Sequence, residues 1–135
     1  MRYLLDTSIV SALARPQPPL RLRSRLALHT GQYAIASLVV AELRYGAERH
    51  PDPVRRARLL AFVDQVLSNT PVLPFDTGAA EWLGIEKARI EATGRVVDLA
   101  DLIIAATAAS HQLVIITANI RHFESLRVPA EDWSI

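Results

Sequence analysis

The stretch from Asp98 to Ser110 constrains the fold more than any other part of the chain. From Leu102 to Ala109 it reads LIIAATAA, apolar on every side, which is typical of a helix that is buried all round. Asp98 and Asp101 stand at its start, three residues apart and therefore on one helix face. This pair predicts either an N-cap with its capping-box partner or two carboxylates that point at a cation.

Short strands alternate with helices along the rest of the chain. The predicted strands are Arg2–Leu5, Tyr33–Ala36, Val72–Leu73 and Leu113–Ile116. The predicted helices are Ile9–Ala14 (capped by Thr7 or Ser8), Leu20–Thr30 (closed by Gly31), SLVVAELRYGAER (capped by Ser37), two helices capped by Asp52 and Asp76, the Asp98–Ser110 helix, and a short helix through Phe123. This alternation predicts an α/β fold with a mostly parallel central sheet covered on both faces, which is a three-layer α/β/α arrangement.

The composition limits the number of domains, the kinds of active site and the cellular location that we expect. The chain has 135 residues, half of them apolar, which predicts one domain over residues 1–135 with a core that needs no disulfide. The lack of cysteine excludes a thiolate nucleophile, an iron–sulfur cluster and a zinc–thiolate site. No segment holds about eighteen uncharged apolar residues together. We therefore expect a cytoplasmic protein with no membrane partner.

The basic residues are almost all arginine. The formal net charge is only +1 and Lys87 is the sole lysine, so a protein that coats a polyanion is not expected, although guanidinium groups suit phosphates well. Two rows of arginines either hold an RNA backbone or form solvated helix faces: Arg21, Arg23 and Arg25 in one, and Arg55, Arg56 and Arg58 in the other. The four histidines (His29, His50, His111 and His122) show no ligand spacing and predict no site.

Acidic and amide side chains occur at four separate places where a strand ends or a helix is otherwise apolar. They are Asp6, Glu42, the pair Asp98 and Asp101, and Asn119. Each alone is explained as a cap or an ion-pair partner. In parallel α/β folds, however, ligands gather at the carboxyl ends of the strands.

If the sheet gathers these groups, two carboxylates about 4 Å apart repel each other by roughly 4 kcal/mol at an effective dielectric constant near 20. Such a cluster requires bound protons or a divalent cation. Oxygen ligands without sulfur favour Mg²⁺ first and Mn²⁺ second. The chemistry indicated is metal-activated hydrolysis of a phosphodiester that leaves 5′-phosphate and 3′-hydroxyl ends.

Four segments of the chain carry a resemblance to a known family. LLDTSIV at the start, VVAELRYG around Glu42, DLIIAATA from Asp101 and TANIRHF from Thr117 resemble the signature segments of PIN-domain nucleases, in the same order and at similar spacing. The chain is most similar to the VapC-type toxins of bacterial toxin–antitoxin pairs, whose last segment often ends in the dipeptide found here at Asp132 and Trp133.

The resemblance implies a PIN-like fold and a Mg²⁺-dependent ribonuclease that is held inactive by a small VapB-type antitoxin and is often a homodimer. By position, Asp6, Glu42 and Asp101 match the family's acidic triad, with Asp6 and Asp101 as the first candidates for direct metal ligands. Asn119 stands where many relatives have a fourth acid, and because an amide carries no charge, the number of ions stays open.

The resemblance also assigns supporting roles near these acids. Thr7 and Ser8 match the small polar pair after the first aspartate, and Thr117 matches the hydroxyl before the fourth ligand position. These three hydroxyl groups are expected to orient carboxylates or waters. Asp98 lies outside the core motif and is expected to be either a cap or a group that acts through the ligands.

Three other classes of protein also place acids at strand ends. A phosphoacceptor receiver would show adjacent acids after the first strand and a lysine late in the chain, whereas Lys87 falls in mid-helix. A haloacid-dehalogenase-type phosphatase would have an aspartate where Ser8 stands. A PIN-like protein that has lost its activity would bind partners only. Transfer, ribosomal and messenger RNA all remain open as substrates.

Overall fold

The computed structural model describes residues 1–135. Five strands are present, namely β1 (Tyr3–Leu5), β2 (Tyr33–Ala36), β3 (Val72–Leu73), β4 (Val114–Ile116) and β5 (Ala130–Glu131). Six α-helices connect them: α1 (Thr7–Leu13), α2 (Leu20–Leu28), α3 (Ser37–Glu48), α4 (Pro53–Asn69), α5 (Thr77–Ala92) and α6 (Leu99–Ser110). A single 3₁₀ turn, Ile120–His122, follows β4.

The strands form one sheet in the order β3-β2-β1-β4-β5, and every neighbouring pair is parallel. The sheet is thus wholly parallel, where the sequence predicted a mostly parallel one. In the central strand β1 the side chains of Tyr3, Leu4 and Leu5 are all buried. Successive side chains of a strand point to opposite faces, so both faces of the sheet are covered. The predicted three-layer α/β/α fold is confirmed.

Helix α6 is the buried helix that its composition predicts. Leu102 and the run from Ile104 to Ala108 are buried, and α6 packs against α5 and lies beside α3 and β4. A helix without a polar face can lie only inside the protein. Its position fixes the first turn, and with it Asp101, at the edge of the core.

Helix caps were predicted correctly at two places and wrongly at two others. The carboxylates of Asp52 and Asp76 accept hydrogen bonds from the backbone N–H groups of Val54 (3.2 Å) and Ala79 (2.9 Å). Helix α1 instead begins at Thr7, with Asp6 at the N-cap position. Helix α3 begins at Ser37 itself, after Ala36. Each helix thus begins one or two residues earlier than predicted, and the residue before it, Asp6 or Ala36, occupies the N-cap position without a side-chain capping bond.

The structure corrects three details of the sequence-based fold. Leu20 and Leu28 of α2 and Ile85 of α5 are apolar residues of predicted helices, yet all three are exposed. Strand β5 was not predicted, because two residues are too few to show a periodic pattern. It forms only through its pairing with the edge of β4. None of the helices is both long enough and apolar enough to cross a membrane.

Candidate active site

Asp6 lies where β1 ends, and its carboxylate is held by two hydroxyl groups. The side chain is buried (6% exposed), and its backbone N–H donates to the carbonyl of Ile116 at 2.8 Å, which continues the pairing with β4. Ser8 Oγ and Thr117 Oγ1 each donate to Asp6 Oδ2 at 2.9 Å. The other oxygen, Oδ1, accepts no hydrogen bond and is free to bind a ligand.

Glu42 is tied to the same region from helix α3. Its Oε1 atom accepts a hydrogen bond of 2.5 Å from Thr7 Oγ1, at the first residue of α1. The hydroxyl groups that follow Asp6 therefore serve two carboxylates, since Ser8 holds Asp6 and Thr7 holds Glu42. Both hydroxyl groups were predicted to orient carboxylates, and the contacts agree with that interpretation.

Asp101 lies in the first turn of α6, with its side chain 16% exposed. Its Oδ2 atom is 3.2 Å from Nδ1 of His122. The pKa of Asp101 is raised to about 6, chiefly by burial and further by the nearby charges of Asp6, Asp98 and Glu42, against the lowering effect of His122. Asp6, Asp98 and Glu42 thus each lie close enough to Asp101 to act on it electrostatically.

Asp98 and Asn119 lie at the margin of this group, and both are exposed. Asp98 occupies the predicted N-cap position of α6, but its side chain makes no capping hydrogen bond. The backbone N–H of Asn119 donates to Thr117 Oγ1 at 2.9 Å, and its amide side chain has no partner within the protein. The side chains of Asp98 and Asn119 therefore make no hydrogen bond that stabilises the fold.

An open cavity of about 420 Å³ adjoins Asp101. Its lining residues are Arg95, Val96, Val97, Asp98, Asp101, Arg121, His122 and Ser125. Sequence reasoning gave no role to Arg95, Arg121 or His122. For two of them a signal was present, because Arg121 and His122 lie within the TANIRHF segment that carries the resemblance.

The donor set fits a hydrated divalent cation and not a closed metal cage. No three histidine or acidic side chains are arranged to enclose an ion directly, so the metal-ligand roles of Asp6, Glu42 and Asp101 stay predictions. Mg²⁺ usually takes one or two carboxylates and keeps several waters. Such an ion could bind the Oδ1 atom of Asp6, which accepts no hydrogen bond. It would also lower the raised pKa of Asp101, since a nearby cation favours the charged form of a carboxyl group.

Comparison with known proteins places the chain in a family. The PIN domain profile matches residues 3–128. The chain is 33% identical to ribonuclease VapC2 of Haemophilus influenzae over 134 residues, with 98% of each chain covered. It is 36% identical to the tRNA(fMet)-specific endonuclease VapC of Shigella flexneri over 135 residues, with 99% of each covered. The DNA-bound VapBC structure from Salmonella typhimurium aligns with a TM-score of 0.90 at 34% identity, covering 98% of both chains.

A parallel sheet that gathers carboxylates at one edge, together with the profile match, defines a PIN-domain nuclease. Within that class the chain belongs to the VapC ribonucleases, the toxins of VapBC toxin–antitoxin systems. The receiver alternative is wrong, and the strand order shows it independently, because receivers have the order 2-1-3-4-5. The dehalogenase-type alternative is wrong as well.

Proposed function

We propose that this protein hydrolyses RNA phosphodiester bonds with Mg²⁺, or Mn²⁺ in its place, bound at the carboxyl edge of the sheet. The observation that carries the proposal is that Asp101 is largely buried close to Asp6, Glu42 and Asp98, whose charges add to the effect of burial on its pKa. Each additional negative charge in such a group costs free energy unless a proton or a cation accompanies it. A hard divalent ion suits an all-oxygen donor set.

In this proposal Asp6 and Asp101 bind the ion, Glu42 completes the acidic group, and Asn119 contributes a neutral oxygen. When bound, the ion would acidify a water and neutralise the charge that develops on the phosphodiester. Thr117 and Ser8 fix one oxygen of Asp6, which leaves the other for the ion. Thr7 restrains Glu42, and exposed Asp98 acts through water at the margin of the site. The products carry 5′-phosphate and 3′-hydroxyl ends.

The partners proposed follow from the relatives. Solved structures similar to this chain are described as VapBC complexes, among them the DNA-bound complex from Salmonella typhimurium. We propose that a VapB-type antitoxin neutralises this toxin in the cytoplasm, that the toxin forms a homodimer within that complex, and that residues 1–135 act as one PIN domain. Transfer RNA is the first substrate to test, since two relatives at 36% identity are described as tRNA(fMet)-specific endonucleases.

The test incubates the purified protein with bacterial transfer RNA in Mg²⁺ or in a chelator and maps the new 5′ ends by sequencing. We expect discrete cuts in Mg²⁺ only. Asp6→Asn should lower the rate at least about a hundredfold, because loss of even an indirect metal contact costs 10- to 100-fold. Asp64→Asn is the matched control, since Asp64 is exposed and pairs only with Arg44. Cleavage that survives chelation, or equal rates for both variants, would contradict the proposal.

A further inference from the structure

The cavity beside Asp101 contains charges of both signs. Asp98 and Asp101 are among its lining residues, and so are two arginines, Arg95 and Arg121. Its volume of about 420 Å³ lies within the range of about 300 to 1,000 Å³ that is usual for ligand sites. Asp101, proposed to bind a cation, therefore shares this cavity with arginines whose guanidinium groups suit an anion.

Arg95 and Arg121 do not stabilise the fold through ion pairs or side-chain hydrogen bonds. The ion pairs of the protein involve Arg44, Arg55, Lys87, Arg89, His122 and Arg127. Arg95 and Arg121 have no acidic partner, and their guanidinium groups make no hydrogen bond within the protein, although both share the cavity with Asp98. Their donors remain available to an incoming ligand.

One wall of the cavity is held by a buried ion pair. Arg89 of helix α5 donates from Nη2 to the carbonyl oxygen of Ser125 at 2.9 Å, and Ser125 lines the cavity. Glu86 binds the same segment by accepting from the backbone N–H of Arg127 at 2.6 Å. The segment after Arg121 is therefore anchored to α5 before any ligand binds, which lowers the entropic cost of binding.

Two further cavities adjoin this one through its arginines. Arg95 and Ser125 also line a cavity of about 350 Å³ beside Thr93. On the other side, Arg121 and His122 also line a cavity of about 370 Å³ that includes Asn119. Arg95 and Arg121 are thus each shared between the Asp101 cavity and a neighbouring cavity. Three adjoining cavities that share these two arginines suit an extended chain of phosphates better than a single free anion.

We infer that Arg95 and Arg121 bind backbone phosphates of RNA on either side of the phosphodiester that is cut at Asp101. This inference rests on the proposed ribonuclease function and names the residues that position its substrate. A phosphate next to two carboxylates is repelled, and each guanidinium at the cavity boundary offsets that repulsion while it fixes the position of the chain. The contacts read the backbone and not the bases.

The test measures the binding of a short oligouridylate in chelator, where no cleavage occurs, as a function of salt concentration. R95Q/R121Q should bind about tenfold more weakly, and the slope of log K against log salt should fall by about 1.4, because each contact with a single strand contributes about 0.7. The matched control is R2Q/R15Q, which removes the same charge from two exposed arginines that lie outside the cavity and outside both arginine rows. An unchanged slope for R95Q/R121Q, or an equal loss in the control, would overturn the inference.

Cleavage in Mg²⁺ separates this inference from the proposed function. R95Q/R121Q should raise KM with little change in kcat, because a backbone contact is made equally in the ground state and in the transition state. If wild-type protein cuts RNA and the double variant has an unchanged KM, the inference fails while the function stands. If wild-type protein binds through the two arginines yet cuts nothing, the function fails and the binding site stands.

Discussion

The two aspartates proposed to bind the ion are held in different ways. Asp6 receives two hydroxyl donors on a single oxygen, whereas Asp101 has only the ring nitrogen of His122 at 3.2 Å. Burial and three neighbouring carboxylates raise the pKa of Asp101 to about 6. The charge of Asp101 at neutral pH therefore costs folding free energy, as expected of a residue kept for a ligand.

Asp101→Asn should stabilise the metal-free protein at pH 7.5. The folded pKa of about 6 lies above the ordinary value of 3.8, so the folded state binds more protons and the stability of wild-type protein falls as pH rises from about 4 to about 6. Asparagine avoids that loss. We expect a gain of about 1 kcal/mol in the free energy of unfolding, discounted for partial exposure and the lost His122 contact.

Urea unfolding in chelator at pH 7.5 and pH 4.5 measures this difference. The gap between Asp101→Asn and wild-type protein should shrink at pH 4.5, where the wild-type carboxyl is largely protonated. Glu81→Gln is the control, since Glu81 is exposed on α5 and has no ion-pair partner. Equal or lower stability of Asp101→Asn at pH 7.5 would show that Asp101 carries no electrostatic penalty.

Among the elements, α5 shows where sequence patterns stop being sufficient. Ala80 and Ile85 are apolar residues of this helix, yet both are exposed, Ile85 by 71%. The buried residues are Ala79, Glu86 and Ile90, on one face at helical spacing with a glutamate among them. An (i, i+3) pair of Glu86 and Arg89 reads like an ordinary surface pair. The contacts with Ser125 and Arg127, which are distant in sequence, distinguish it from such a pair, because they belong to a segment that covers Glu86.

Glu86→Gln should destabilise the protein near pH 7 by about 2 kcal/mol. The hydrogen bonds from Arg89 (2.7 and 2.9 Å) and then the backbone N–H of Arg127 lower the pKa of Glu86, against the opposing effect of burial. Because the folded pKa lies below the ordinary 4.5, this stabilisation is present above that pH and is lost as pH falls through the folded pKa.

Thermal unfolding at pH 7 and in acid tests the role of Glu86. The difference between Glu86→Gln and wild-type protein should be largest at pH 7 and should decrease below pH 4.5. Glu91→Gln on the same helix removes an exposed pair with Lys87 at 4.0 Å and should cost less than about 0.5 kcal/mol. Equal effects of the two variants would mean that the contacts of Glu86 with Arg89 and Arg127 contribute no more to stability than a surface ion pair does.

For the whole molecule, the sequence predicted the strands that carry the candidate site residues but not the contacts that the C-terminal residues make. Local patterns predicted strands β1 and β4, and their parallel pairing in the sheet places the residues that follow them side by side, so Asp6 meets Thr117. The C-terminal contacts carry no such local signal. Strand β5 is too short to be recognised, and the backbone N–H of Thr117 donates to the carbonyl oxygen of Glu131 at 3.0 Å, which supports the site from the chain's last residues.

Trp133→Ala should therefore weaken the whole fold. Trp133 is 1% exposed, stacks on His29 at 4.7 Å between ring centroids and meets Tyr3 edge-on at 4.7 Å. It thus joins the C-terminus to β1 and to the end of α2. Loss of a buried tryptophan leaves a cavity and costs about 3 to 5 kcal/mol. Trp133→Phe keeps a ring and should cost less. Urea midpoints measure both, with exposed Ile135→Ala as the control; a midpoint for Trp133→Ala equal to that of Ile135→Ala would show that the C-terminus is dispensable for folding.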